Sequence, residues 1–314
     1  MVRLALISDI HGNFKAFEAF LAYLGEHPVD GVICLGDYVT DGPYPLRTLD
    51  LLYGMQQELP CYVIRGNREE YLLDNRDNHQ GWKPSSSNGT LFYTLGQMRK
   101  EDMMFFASLP TEREVCVEGC PALYICHGTP GRVRGNVYME EGLREAVMGK
   151  LPYSCLLGGH SHHQEIYQWE GDGQGRSCQE KDMFQKRSQG QDMWGGGVWQ
   201  SKTYINPGSL GLCMDGQGRH AQFAMLTGDS QGWEAELLSI SYDVEGYLRA
   251  FGESGVDEMG RVLNKAVKKS LVTGVNYFFH SVLAMEERAR ELGVPSASEV
   301  PEEEWERLAE RFGL

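Results

Sequence analysis

Residues 2–13 read VRLALISDIHGN, an apolar run that ends abruptly in Asp9, His11 and Gly12. Short apolar, β-branched runs of this kind read as strands, and the polar residues behind them as the start of a loop. The same event recurs along the chain. GVICLG (31–36) runs into Asp37, CYVIRG (61–66) into Asn67, ALYICHG (122–128) carries His127, and SCLLGG (154–159) is followed by His160 and His162. Between several of these runs lie residues at helical spacing: Phe14, Phe17, Phe20, Leu21 and Leu24, then Leu46, Leu49, Leu51, Leu52 and Met55. Strands separated by helices predict a layered α/β core. The crevice outside the strand ends of such a sheet is where ligands bind, so the polar residues are expected to converge there.

Beyond residue 200 the pattern changes. TYINPGS (203–209), HAQFAMLT (220–227) and GWEAELLSI (232–240) are joined by turn-rich stretches with Asp215-Gly216 and Gly228-Asp229, which predicts antiparallel strands or hairpins. Residues 170–202 are dominated by glycine, glutamine and charge and are expected to form a surface insertion, loop or long hairpin near the site, pinned by Trp194 and Trp199. From 241 on the chain reads as helices, at 243–252, 256–269, 274–292 and 301–312. Leu263, Val267, Leu271 and Val275 form one apolar stripe, and Trp305, Leu308 and Phe312 another. The expected division is a domain at 1–240 and a C-terminal helical extension at 241–314, packed on the core or mediating a homo-oligomer.

A chain of 314 residues, 41% hydrophobic, has enough apolar surface for a substantial core. Its net charge of -15 disfavours attraction to nucleic acid or to an anionic membrane surface. With no apolar stretch of about 18 residues and no leader-like start, no membrane span and a cytoplasmic location are expected. The 8 cysteines, several inside strand-like runs, are expected to be reduced and mostly buried, and Cys116 and Cys120 lack the second pair of a structural zinc site.

Imidazoles and carboxylates are ligands for zinc, iron or manganese, and a carboxylate bridges two ions with its two oxygens. Asp9, His11, Asp37, Asn67, His127, His160 and His162 exceed what one tetrahedral zinc would use and suit two ions sharing a bridge. Two ions roughly 3.5–4 Å apart stabilise both the attacking and the leaving oxygen of a phosphoryl transfer.

The ordered blocks Asp9-Ile10-His11-Gly12-Asn13, Gly36-Asp37-Tyr38-Val39, Gly66-Asn67-Arg68-Glu69, His127-Gly128-Thr129-Pro130 and Gly159-His160-Ser161-His162, followed by Asn206-Pro207-Gly208-Ser209, resemble the calcineurin-like metallophosphoesterase superfamily. The resemblance is to a bacterial form, related to but distinct from the Ser/Thr phosphoprotein phosphatases. It implies a four-layered α/β/β/α sandwich with two mixed β-sheets. It further implies one metal held by Asp9, His11, Asp37 and His162, and a second by Asp37, Asn67, His127 and His160, with Asp37 bridging. The two ions, divalent or trivalent manganese, iron or zinc, would serve in-line hydrolysis of a phosphate ester, with Asp37, Asn67, His127 and Arg68 as catalytic residues.

Phosphoprotein phosphatases carry a histidine after the asparagine as leaving-group acid, where this chain has Arg68. A guanidinium stays protonated and suits phosphate oxygens better than proton donation. Arg68 is therefore expected either to clamp substrate or to pair with Glu69 or another acid, and Asn67, Arg132 and Arg134 are further candidate phosphate contacts. Asn13 is expected to orient a water or a ligand histidine, Arg65 to point into the site or pair at the sheet edge, and Tyr38, Tyr44 and Trp82 to stack a nucleobase or simply pack. The expected partner is a small phosphorylated substrate, a nucleotide among the candidates, as phosphomonoester or phosphodiester. The other readings are a Ser/Thr phosphoprotein phosphatase, a weakly active metal-binding scaffold, and a nuclease.

Overall fold

A computed structural model describes residues 1–135, 143–170, 175–178 and 201–314 of the chain. Strand β1 (Val2–Ile7) shows in miniature how the layers arise. Side chains alternate across a strand, so Leu4 and Leu6 point to one face and Ala5 and Ile7 to the other. The first pair lies between two sheets, with Ile33, Leu35, Leu123, Ile125, Leu157 and Ile205. The second lies under helices, with Phe17, Phe20, Leu49 and Leu52. Burying Leu4, Leu6 or Ile7 contributes about 1.5–3 kcal/mol each, so one strand secures two layers at once.

The first sheet has the order β11-β10-β1-β2-β3, with β2 (Gly31–Cys34) and β3 (Cys61–Val63) parallel to β1, β10 (His220–Asp229) antiparallel to β1, and β11 (Gly232–Ser241) antiparallel to β10. The second has the order β4-β5-β6-β9-β7-β8, from β4 (Glu112–Val115), β5 (Leu123–Cys126), β6 (Cys155–Leu157), β7 (Gln164–Glu170), β8 (Gly175–Cys178) and β9 (Ser201–Pro207). Both are mixed. Helices α1 (Phe14–Glu26) and α2 (Pro45–Glu58) cover the outer face of the first sheet, and α6 (Leu143–Lys150) packs Met148 on the outer face of the second, against Leu156 and Tyr204. The four-layered sandwich expected from the sequence is the fold.

Three details differ from expectation. TYINP lies in β9, which runs parallel to β6 and antiparallel to β7, so this stretch joins a mixed sheet rather than a purely antiparallel one. Residues 67–108 hold three nine-residue helices, α3 (Asn67–Asn75), α4 (Gly89–Gln97) and α5 (Lys100–Ser108), too short to show a clear helical period. Val275 is 38% exposed and lies beyond the end of its helix, because Gly274 in the left-handed conformation closes it. Within 170–202, β7 and β8 pair antiparallel and Ser201 and Lys202 open β9. Trp194 and Trp199 lie outside the described residues.

The C-terminal helices are α7 (Val244–Ser254), α8 (Val256–Thr273), α9 (Tyr277–Leu292) and α10 (Glu302–Phe312). Tyr247, Phe251, Val267 and Leu271 bury against Phe14 and Leu212, while Trp305, Leu308, Leu263 and Met285 form a core of their own. Among the described residues no helix is long and apolar enough to cross a membrane.

Candidate metal centre

Every predicted ligand sits in a turn that leaves a strand end. Asp9 and His11 follow β1, Asp37 follows β2, Asn67 opens α3 behind β3, His127 follows β5, and His160 and His162 follow β6. Asp9, His11, Asp37, His160 and His162 have φ of 55, 48, 56, 65 and 57°, the left-handed region that side chains ordinarily avoid. The turns also approach one another closely. A Cβ on Gly66 would lie 2.2 Å from Asp37 Oδ1, so only glycine lets β3's turn reach that carboxylate.

The rings are oriented from behind. His127 Nδ1 donates to the Leu35 carbonyl at 2.7 Å, and His162 Nδ1 to the Leu212 carbonyl at 2.6 Å. His11 Nδ1 lies 3.0 Å from Asp41 Oδ2. A carbonyl only accepts, so Nδ1 of His127 and of His162 carries a proton, and in the neutral ring Nε2 presents its lone pair to the cavity. Those lone pairs meet other acceptors. His11 Nε2 is 3.0 Å from His162 Nε2, which is 3.3 Å from Asp9 Oδ1, and His127 Nε2 is 3.0 Å from Asn67 Oδ1 and 3.4 Å from Asp37 Oδ2. Asp9 Oδ1 is buried with no hydrogen-bond partner among the described residues. Ligand-type atoms crowded together, with an orphaned carboxylate oxygen among them, fit cations.

The donor atoms form two groups, Asp9 with His11 and His162, and Asp37 with His127 and His160, each within 4.8 Å. Asp37 Oδ2 lies 3.8 Å from His11 Nε2 as well as 3.4 Å from His127 Nε2, so this carboxylate stands between the two. The pair of clusters is consistent with a binuclear metal centre. Protons take up part of the same field. Burial opposes a charged His11, yet Asp41, Asp9 and Asp37 outweigh it and push its pKa up to about 9. Burial likewise opposes a charged His127, and Asp37 and Asp9 push it up to about 10. Burial works against ionised Asp9 and Asp37 too, but the facing histidines hold both below the usual carboxylate range. His160 goes the other way, down to about 4, through burial and then the charge of His127.

Two further acids complete the frame; from sequence Glu69 is expected only as a possible partner of Arg68, and Asp41 is given no role. Asp41 receives His11 Nδ1 and Arg68 Nη2, the latter at 2.9 Å. Glu69 is fully buried and accepts the backbone N–H groups of Gly66, Asp37 and Tyr38 at 2.8–2.9 Å, tying two strand-end turns together. Burial, then the charge of Asp37, pushes its pKa up to about 7. Glu69 lies within a block already singled out and Asp41 two residues beyond another, and their acidity was the available signal.

Arg68 therefore pairs with Asp41, not Glu69, and its guanidinium lies 5.1 Å from the Phe278 ring centroid. Arg132 and Arg134 are exposed, and Arg134 lies over Tyr71 and 3.8 Å from Asp74. Arg65 turns to the sheet edge, toward Glu70 and the Leu109 carbonyl. Asn13 does not reach a ligand ring: it caps α1 through Ala16 N and donates to the Gly211 carbonyl and Tyr242. Tyr38 is 1% exposed and donates to the Cys34 and Ile64 carbonyls, which removes it as a stacking surface. Tyr44 is 36% exposed and packs edge-on to Phe14, while Trp82 packs near His79 and Phe92.

The family model for the calcineurin-like phosphoesterase superfamily domain matches residues 2–231. An uncharacterized protein of Methanocaldococcus jannaschii is 24% identical over 246 residues, 77% of this chain and 88% of that protein. A symmetrical bis(5'-nucleosyl)-tetraphosphatase of Pseudomonas fluorescens is 32% identical over 82 residues, 26% of this chain and 27% of that protein. Among solved structures, a metallophosphoesterase from Sphaerobacter thermophilus superposes with a TM-score of 0.63 at 21% identity, over 87% of this chain and 100% of that one.

Proposed function

Because the chain belongs to the calcineurin-like phosphoesterase superfamily, we propose that this metal-dependent phosphoesterase hydrolyses a small-molecule or nucleotide phosphomonoester or phosphodiester. The observation that carries the reading is the convergence of metal-ligating atoms, in which the Nε2 atoms of His127 and His162, each oriented through Nδ1, and the buried Asp9 Oδ1 face one another around Asp37. In this reading Asp9, His11 and His162 hold one ion, Asn67, His127 and His160 the other, and Asp37 is shared. Ions bound there lower the pKa of water and stabilise the charge that develops on phosphate oxygens. The chain supplies the rest. The Leu35 and Leu212 carbonyls and Asp41 hold the ligand rings, and Glu69 holds the turns. Arg68, neutralised on one side by Asp41, adds a fixed positive charge beside the centre for a phosphate oxygen.

Arg68 in place of a protonating histidine supports a substrate with a good leaving group over a phosphoprotein. The activity named for the Pseudomonas fluorescens relative supports the nucleotide arm. The net charge of -15 weighs against a nuclease, and seven convergent ligand side chains weigh against a pure scaffold. In this assignment residues 1–240 are the catalytic domain and 241–314 a packed extension. Phe279 and Leu283, 42% and 47% exposed on α9, are the surface for self-association. The free thiols of Cys34, Cys61, Cys116, Cys120, Cys126, Cys155 and Cys213 support a cytoplasmic protein.

The test is a hydrolysis screen of protein loaded separately with manganese, iron and zinc. Substrates are p-nitrophenyl phosphate, its bis ester, nucleoside mono- and diphosphates, dinucleoside polyphosphates, cyclic nucleotides and a phosphopeptide. Turnover on a mono- or diester of a small molecule, lost in Asp37→Asn, is the expected result. Turnover confined to the phosphopeptide, or unchanged in Asp37→Asn, would overturn it.

A further inference from the structure

Immediately after Leu212, whose carbonyl orients His162, the chain turns through Cys213 and Asp215 and enters β10 at His220. Cys213 Sγ, an Asp215 carboxylate oxygen and a His220 ring nitrogen all lie within 4.8 Å of one another, and Cys213 is 2% exposed. His220 Nδ1 is 2.6 Å from the Gly218 carbonyl, which only accepts, so the ring donates there. A neutral ring then turns its Nε2 lone pair toward Asp215 Oδ2 at 2.8 Å, acceptor against acceptor. The opposing account is a doubly protonated His220 in a simple ion pair. Gln222 adds a fourth group. It is 3% exposed, its Nε2 lies 3.3 Å from Asp215 Oδ2 and 3.5 Å from His220 Nε2, and its Oε1 is buried with no hydrogen-bond partner. Half a turn of that amide exchanges oxygen for nitrogen at constant shape and brings an oxygen to the cluster.

We propose that Cys213, Asp215 and His220, completed by the Gln222 amide oxygen, form a further metal site distinct from the strand-end pair and suited to a zinc-like ion. The thiolate and imidazole select zinc over magnesium or calcium, which prefer oxygen alone. Binding exchanges the Cys213 thiol proton for the metal, so one proton is released to solvent and no redox change occurs.

The position of the cluster gives it a structural task. Ser209 Oγ donates to the Asp9 carbonyl and Gly211 N to the same atom, so this segment already backs the first cluster of ligands. On its other side the turn is clasped by the end of α8, through Gly216 N to the Gly274 carbonyl and Arg219 N to the Leu271 carbonyl. A cation in the turn ties the C-terminal helices to the loop that orients His162.

Cobalt substitution of the full chain separates this site from the strand-end pair. The strand-end ligands are nitrogen and oxygen only, so a thiolate-to-cobalt charge-transfer band in the near ultraviolet reports a cysteine ligand. The band is expected in the wild type and in Asp37→Asn, and expected to vanish in Cys213→Ser and in His220→Gln. Elemental analysis of the zinc-loaded variants should show one ion fewer per chain. His220→Gln, at a partly exposed position, keeps the test decisive should Cys213→Ser fold poorly. Absence of the band, its persistence in the folded variants, or equal metal content would overturn the site and leave the His220–Asp215 ion pair in its place. A band without any hydrolysis would sink the proposed activity alone, so the two readings fail separately.

Discussion

The strand-end turns and the C-terminal helices use the same unusual backbone conformation for opposite ends. Gly255, Gly274, Gly293 and Gly313 close or separate the helices at φ of 79, 67, 69 and 62°, where glycine meets no Cβ penalty. Asp9, His11, Asp37, His160 and His162 hold φ of 55, 48, 56, 65 and 57° with full side chains, at a cost on the order of 1–3 kcal/mol each. Glycine serves where the bend alone is needed. A ligand side chain stands where the bend must also aim an imidazole or carboxylate. Five of the ten non-glycine residues at positive φ among the described residues are predicted ligands, while the C-terminal helices carry one exception of their own, Arg261 at φ 44°, where α8 kinks.

The largest effect should come from the residue shared by both clusters. Asp37→Asn keeps the side chain's size and its acceptor for Arg68 N, so the turn survives. Hydrolysis should fall by at least about 10³-fold, the upper end of the loss for one pre-organised stabilising group. The rise in melting temperature on adding metal should shrink with it, while the metal-free variant should melt only modestly below the metal-free wild type, because Asp37 is the charge that favours protonated His127. A metal-free variant that melts far lower would mean that the turn supports folding more than chemistry.

The opposite profile is expected in the helices. Trp305 is 1% exposed among Leu263, Met285 and Leu308, so Trp305→Ala should cost about 3–5 kcal/mol of stability by denaturant titration. Turnover per folded molecule should be unchanged. A matching loss of turnover would erase the contrast between the regions.

How legible these regions were from sequence follows the same division. The ligands were readable because each follows a short apolar run, and a strand end is a position that sequence marks well. The helices from 244 were readable because caps and stripes are local, with Asp243 and Asn276 each accepting a backbone N–H. What escaped was the frame behind the ligands. Glu69 is one acid among many in sequence, and only the meeting of the β2 and β3 turns makes it an acceptor for three backbone donors. Asp41 is bound to His11 and Arg68 by a turn geometry that no periodicity reports. Tyr38 follows a ligand but points into the core, a distinction set by one backbone angle.

Asp41→Asn tests that frame. It removes the charge that faces His11 Nδ1 and Arg68 Nη2 without emptying the space. Loss of a partner behind a metal-ligating histidine typically costs 10–100-fold in affinity or activity, so a drop of roughly that size in metal affinity is expected. Calorimetric titration with manganese or zinc would measure it, and an unchanged affinity would confine Asp41 to salt-bridging Arg68. The metal-free protein should also respond to alkali. His11 and His127, with pKa of about 9 and about 10 in the fold, are raised above the ordinary histidine value of about 6.5. Their contribution to stability is complete below that value and is lost as pH rises through about 9 and then about 10. Melting temperatures across that range should fall for stripped protein. They should stay flatter for loaded protein, whose ligand rings hold no competing proton.

The smallest effect probes where the two regions touch. Asn276 caps α9 by accepting Phe279 N at 2.9 Å, and two residues on Phe278 packs beneath the Arg68 guanidinium. Asn276→Ala should cost about 1 kcal/mol of stability, the usual worth of a cap. Fraying of that first turn would also loosen the surface on which Arg68 rests, although its pairing with Asp41 remains. If Arg68 contacts substrate phosphate, KM should rise modestly with kcat unchanged, because the group would bind ground state and transition state alike. A cap loss seen in stability alone would assign the extension a purely structural part, and a fall in kcat would draw α9 into the site itself.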